Sequence, residues 1–130
     1  MIRQMMHAKL HRGRVTDARL DYVGSITIDE ALLERAGILE NERVQVLNIT
    51  TGARIETYAI KGARNSGTLC LNGAAARLFQ PGDEIIVIAY GLFSPEELRS
   101  FQPTVLLLDA ENHIVATLSG EQAGPYLGAN

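Results

Sequence analysis

The 130-residue chain contains a single cysteine, Cys70, and only four prolines, scattered along its length. A lone thiol builds neither an internal disulfide nor a thiolate metal cage. That excludes oxidative stapling and structural zinc, and it fits a reducing, cytoplasmic location. No uninterrupted apolar run reaches signal-peptide or membrane-span length. The opening MIRQMMHAKLHRGRV carries a charge every three or four positions, so no targeting or anchoring segment is expected. Internal repeats, low-complexity tracts, charge blocks and a proline-rich linker are also missing, which leaves one continuous domain over residues 1–130. Basic residues are in deficit: 12 Lys and Arg stand against 15 Asp and Glu, a net charge of −3. That is the wrong sign for a domain that binds nucleic acid by counterion release. The P-loop, the dinucleotide fingerprint and the Gly-x-Ser-x-Gly elbow are absent.

What is present suits a packed core, with 46% hydrophobic and 21% charged residues. From Gln4 to Thr16 apolar and polar residues alternate, predicting a long half-buried strand with Met6, Ala8 and Leu10 on one face and His7, Lys9 and His11 on the other. Ser25 to Ile28 reads as a short strand, after which Asp29 can cap a helix closed by Gly37. Arg43–Ile49 and Ala53–Ile60 form a hairpin about Thr50-Thr51-Gly52. Asn72–Leu78 can make one helical turn, and Glu84–Tyr90 is apolar enough for a strand buried on both faces. Ser94-Pro95-Glu96-Glu97 starts another helix, Thr104–Leu108 and His113–Leu118 read as a final strand pair, and the last dozen residues read as frayed. Many short strands with brief helices in so small a chain predict a mainly β fold closed into a barrel.

Few residues offer chemistry. Cys70 lies in the apolar run Thr68-Leu69-Cys70-Leu71 and reads as a structural thiol. His7 and His11 share a face at a gap of four, but no third ligand accompanies them, so no metal is expected. Gly24-Ser25, between two predicted strands, is by itself an ordinary turn.

Its surroundings change that reading. KLHR (Lys9 to Arg12), ITID (Ile26 to Asp29), AGI (Ala36 to Ile38), TGARIETYAI (Thr51 to Ile60) and NGAAA (Asn72 to Ala76) flank the pair in that order. Together they resemble the aspartate 1-decarboxylase family of pyruvoyl-dependent enzymes, from the first residues to about Leu108. The resemblance implies a double-psi β-barrel with short helices, assembled as a homotetramer with sites at subunit interfaces. It implies self-cleavage between Gly24 and Ser25 into segments 1–24 and 25–130. Ser25 would attack the Gly24 carbonyl to give an ester, and loss of its α-proton would release the leading segment. Hydrolysis would leave a covalent pyruvoyl group at the new N-terminus. Gly24, lacking a Cβ, suits a strained and open carbonyl. The implied reaction is decarboxylation of L-aspartate to β-alanine, in pantothenate biosynthesis, through a Schiff base in which the ketone acts as electron sink.

The same resemblance assigns roles. Arg54, whose planar fork suits a bidentate carboxylate, and Lys9 would bind the substrate's two carboxylates. Tyr58 would return the proton, Thr57 would contact substrate and assist cleavage, and Asn72, Gly73, Ala74 and Ala75 would form a backbone-amide cradle. His11 and Tyr22 would help the proton transfers of cleavage. Alternation along ARIETYAI, however, puts Arg54, Glu56 and Tyr58 on one face and Thr57 on the other. A bulge, strand twist or neighbouring subunit must reconcile them. Thr51 stands where the family commonly has asparagine, which questions the turn beside Arg54. Whether a maturation partner assists cleavage is left open by the residues. Two further readings remain: a swapped-hairpin β-barrel DNA-binding regulator, built on Asp29 to Ile60, and a binding domain with Gly24-Ser25 intact.

Overall fold

Alternating side chains and turn signals produce nine strands and little helix in the computed structural model, which describes residues 1–125. In chain order these are β1 (Arg3–Arg14), β2 (Asp17–Arg19), β3 (Ser25–Asp29), α1 (Glu30–Ala36), β4 (Arg43–Asn48), β5 (Arg54–Gly62) and β6 (Leu69–Asn72). A 3-10 turn (Gly73–Leu78), β7 (Glu84–Phe93), α2 (Pro95–Leu98), β8 (Thr104–Leu108) and β9 (Ile114–Leu118) follow. The strands form one sheet in the order β2-β6-β3-β5-β4-β7-β1-β8-β9. Three neighbouring pairs, β1/β8, β2/β6 and β3/β5, run parallel, which requires long crossing connections, while the other pairs are antiparallel. Thr16 N–H donates to Leu69 O at 2.9 Å and Leu69 N–H to Thr16 Oγ1 at 3.0 Å, tying the end of β1 to β6 and bringing the sheet round on itself. This is the mainly β, double-psi barrel that the resemblance implies.

The inward row is aliphatic. Leu10, Ile26, Ile28, Val46, Leu71 and Val87 are essentially inaccessible, and each contributes roughly 1.5–3 kcal/mol by leaving water. Two departures from the sequence reading have physical causes. The pairing of β1 with β7 slips between Met6 and Ala8, so Met6 stands opposite Tyr90 and leaves the row of Ala8 and Leu10. β7 is buried on one face only: Ile85, Val87 and Ala89 point into the core, whereas Ile86 and Ile88 are half-buried on the outer face. The short β2 escaped the sequence reading because three residues carry no period.

The local signals held where side chains cap backbone. Asp29 Oδ1 accepts from Ala31 N–H at 2.8 Å to cap α1, and Gly37 closes the helix at φ +78°. The same buried carboxylate accepts from Asn65 N–H and Gly67 N–H, each at 2.9 Å, so it also pins the loop leading to β6. In the β4–β5 hairpin the left-handed residue is Gly52 at φ +83°, and Asn48 Oδ1 accepts from Thr50 and Thr51 N–H. Thr51 therefore carries no left-handed strain. Ser94 and Glu97 form the expected capping box of α2. Of the last dozen residues, 119–125 form neither helix nor strand, and 126–130 lie outside the described residues.

Candidate active site

Ser25 opens β3, a strand flanked by β6 and β5. It stands directly opposite Asn72, and the parallel pairing of Ile26 with Ala59, run back one step, sets Tyr58 level with Ser25 and Thr57 level with Gly24. Because Ile26 and Ile28 point into the core, Ser25 and Thr27 face the other way. Ser25 is nonetheless only 4% exposed. Asn72 Nδ2 donates to both Ser25 Oγ and Thr27 Oγ1 at 2.9 Å, and Cys70 Sγ lies 3.2 Å from Asn72 Oδ1. Burial pushes the Cys70 thiol up from its ordinary pKa, so it stays protonated as a hydrogen-bonding group rather than a nucleophile. Asn72 precedes the 3-10 turn but makes no side-chain cap there, since its amide is engaged at the serine.

Gly73 explains how the turn comes so close. At φ +66° it accepts a backbone conformation that side chains disfavour, and a Cβ built there would lie 2.7 Å from Gly24 Cα and 3.1 Å from Tyr22 O. Gly24 itself has no such need: its φ is not left-handed, and an added Cβ would meet only Asn72 O, at 3.9 Å. The conformational demand expected at Gly24 thus falls on Gly73. The preceding residues Leu20, Tyr22 and Val23 are exposed and outside any strand.

The outer face of the sheet carries the remaining candidates in two rungs. Lys9, Ile88, Gln45 and Glu56 are successive partners across β1, β7, β4 and β5, and His11, Ile86, Leu47 and Arg54 form the next rung. Lys9 and Arg54 are thus three strand spacings apart across the sheet, about 14 Å, and one rung apart along it. Lys9 Nζ donates to Glu121 Oε2 at 2.9 Å, and Arg54 Nη1 donates to Gln45 Oε1 at 2.9 Å. The β4–β5 pairing is regular from Leu47–Arg54 to Arg43–Tyr58, so no bulge turns Thr57 outward. Thr57 stays on the face of Ile55 and Ala59, opposite to Arg54 and Tyr58. His11 is buried, and its pKa is lowered first by desolvation and then by Lys9 and Arg12, which favours the neutral imidazole. Ala74 and Ala75 lie in the 3-10 turn, exposed and half-buried respectively.

One chain therefore brings together Gly24, Ser25, Asn72, Gly73 and, in register, Tyr58, while Lys9 and His11 stand apart on β1. Sequence reasoning missed the partners of these groups: Thr27 and Cys70 on Asn72, Gln45 on Arg54, and Glu121 on Lys9. Each is an ordinary polar residue whose only sequence signal is an outward position in a strand or tail. His7, weighed with His11 as a ligand, pairs instead with Glu42 at 2.6 Å. Ligand atoms of Asp109, Glu111 and His113 lie within 4.8 Å of one another, but Asp109 Oδ1 accepts from the backbone N–H of Glu111 and His113, so the cluster forms a capped hairpin turn. Among the described residues no helix is long and apolar enough to cross a membrane.

A small mixed β-barrel that buries a strand-initial serine between an amide and a tyrosine, with cations on the same outer surface, has the parts of an enzyme for an anionic substrate. Comparison with known proteins narrows that class. Residues 1–115 match the family model described as aspartate decarboxylase. An aspartate 1-decarboxylase of Exiguobacterium sibiricum is 63% identical over 127 residues, and those of Bacillus cereus (strain B4264) and Bacillus thuringiensis (strain Al Hakam) are 57% and 56% identical. Each alignment covers 98% of this chain and the whole of the relative. The chain belongs to the aspartate decarboxylase family.

Proposed function

We propose that the chain decarboxylates L-aspartate to β-alanine, the step that feeds pantothenate synthesis, after cutting itself between Gly24 and Ser25 to leave a pyruvoyl group on residue 25. The observation that carries this reading is the clasp at the junction, where Asn72 Nδ2 holds Ser25 Oγ at 2.9 Å and Gly73 approaches Gly24 with no room for a Cβ. A serine fixed at both its side chain and the preceding residue is restricted to few orientations, which favours attack on its own peptide bond. The residues also fit the mature group: Asn72 Nδ2 is aimed at an oxygen on residue 25, and the barrel wall excludes water from its inner side. When present, the pyruvoyl group supplies an electrophilic carbonyl that captures the substrate amine and draws electrons from the bond to the α-carboxylate.

The chain's own residues do the rest. Arg54 binds a carboxylate of the substrate through its planar fork, and Lys9 serves the other as a point charge. Tyr58, level with residue 25, holds the proton delivered to the carbon that has lost carbon dioxide. Thr57, level with Gly24, assists the cut, and His11 and Tyr22 assist its proton transfers. The backbone N–H groups of Gly73, Ala74 and Ala75 cradle substrate oxygen. Lys9 and Arg54 stand on strands three apart, each already hydrogen-bonded to a neighbour, and Ile86 and Ile88 are half-buried on the surface between them. A homotetramer in which a neighbour covers this face and completes the site accounts for both features. A reducing, cytoplasmic compartment suits the single thiol.

The test is intact mass of the purified protein under denaturing conditions, followed by β-alanine release from aspartate. Two species, residues 1–24 and a segment 25–130 lighter by one ammonia than its serine form, are expected. Ser25→Ala should give one uncut, inactive species, and Tyr58→Phe should be cut yet fail to turn over. Carbon dioxide release by Ser25→Ala would overturn the mechanism. Family membership sets aside the DNA-binding reading, whose mark would be binding with a steep salt dependence.

A further inference from the structure

Arg54 has an acidic neighbour that could silence it. Glu56 lies two residues along β5 on the same face, and a guanidinium paired with a carboxylate must release it before binding an anionic ligand. The structure keeps the two apart. Arg43, across the hairpin, takes Glu56 at 2.5 Å, and Arg54 instead donates through Nη1 to the neutral Oε1 of Gln45 at 2.9 Å. Tyr90 Oη donates to the same Oε1 at 3.1 Å. Arginine has donors only, so the amide oxygen, not its nitrogen, must face Arg54, and the geometry has one chemical sense. Gln45 stands opposite Glu56 on one side and Ile88 on the other, with Arg54 and Tyr90 among its diagonal neighbours. A half-buried residue between two ladders is held more firmly than an exposed side chain.

We propose that Gln45, steadied by Tyr90, is a positioning residue for Arg54, holding the guanidinium by one nitrogen while leaving its charge unneutralised for the substrate's carboxylate. This rests on Arg54 as the substrate-binding cation. A fixed fork with undiminished charge loses less side-chain freedom on binding, and the benefit is felt in KM rather than in the bond-breaking step.

The test uses fully cut enzyme, with the cut verified by intact mass, and steady-state turnover of L-aspartate by wild type, Arg54→Met, Gln45→Met and Gln45→Glu. In Gln45→Met the clamp is gone, and KM should rise about three- to tenfold with kcat within about twofold. Gln45→Glu keeps the shape and the acceptor but adds a charge, and KM should rise more than about tenfold as its carboxylate competes for Arg54. A merely structural role predicts no change in Gln45→Glu, so a wild-type KM there overturns the proposal. So does a loss confined to kcat in Gln45→Met. A wild-type KM in Arg54→Met would refute the substrate-binding role of Arg54 instead. Exchange of the Arg54 Nη protons, read by NMR, tests the clamp without turnover: it should be slower in wild type than in Gln45→Met, and equal exchange overturns the proposal.

Discussion

Replacing Gly73 with alanine tests the junction more sharply than any change at the junction itself. The added Cβ would fall 2.7 Å from Gly24 Cα, 2.9 Å from Gly24 N and 3.1 Å from Tyr22 O, all backbone atoms that cannot rotate away. The φ of +66° adds the left-handed penalty, about 1–2 kcal/mol for a residue with a Cβ. Overpacking of this kind adds about 1–3 kcal/mol, so roughly 2–4 kcal/mol is expected once partial relaxation is allowed. For a domain of this size that lowers Tm by roughly 6–16 °C. The comparison belongs in a Ser25→Ala background, where both proteins stay uncut and thermal unfolding reports folding alone. With Ser25 restored, the relief of overlap must push Gly24 away from the turn, so fragments 1–24 and 25–130 should accumulate far more slowly. Gly24→Ala is the control, because its Cβ meets only Asn72 O at 3.9 Å, and in the same background it should hold Tm within about 2 °C. If Gly73→Ala kept both the Tm and the cutting rate, close approach at this corner would not be what prepares the serine.

Other residues give further outcomes. Asp29→Ala leaves the N–H groups of Ala31, Asn65 and Gly67 without their acceptor at a buried position, and urea unfolding should show a loss of about 2–4 kcal/mol. His11, whose pKa is held down by burial and then by Lys9 and Arg12, takes up its proton at lower pH in the fold than in the unfolded chain, which does so near pH 6.5. Stability contributed this way is complete above pH 6.5 and lost as pH falls below it, so His11→Gln should flatten that part of the stability–pH curve; an unchanged slope would refute the shift. Glu121→Gln frees Lys9 Nζ from its only acidic hydrogen-bond partner among the described residues, and KM for aspartate should fall about two- to fivefold, as expected for a pair with one solvent-exposed member.

Periodicity carried most of the fold. The alternation of Arg43–Ile49 and Ala53–Ile60, the caps at Asp29 and Ser94 and the left-handed Gly37 are local codes, and each produced its element. The slip at His7 left no trace in sequence, because a bulge is chosen by the partner strand and not by the bulged residue. β7 misled for a related reason: Ile86 and Ile88 are as apolar as their inward neighbours, yet they lie on the outer face of one chain. The site was legible only as an ordered set of fragments. Its residue types are common, and their supporting partners, Thr27, Cys70, Gln45 and Tyr90, become visible only when strands distant in sequence are laid side by side.

The regular register of β5 sharpens what a complete site needs. Period-two geometry cannot put Arg54, Thr57 and Tyr58 on one surface, and the pairing from Leu47–Arg54 to Arg43–Tyr58 shows no bulge that would change this. On the proposed reading Thr57, level with Gly24 on the inward face, is placed for the cut rather than for the outward surface that carries Arg54. Arg54 and Tyr58, on the outward face with the opening of β3, are the residues proposed to serve turnover. The two chemistries of the proposed enzyme are thus divided between the two faces of one strand, and a change confined to Thr57 should slow maturation while sparing the KM of molecules already cut.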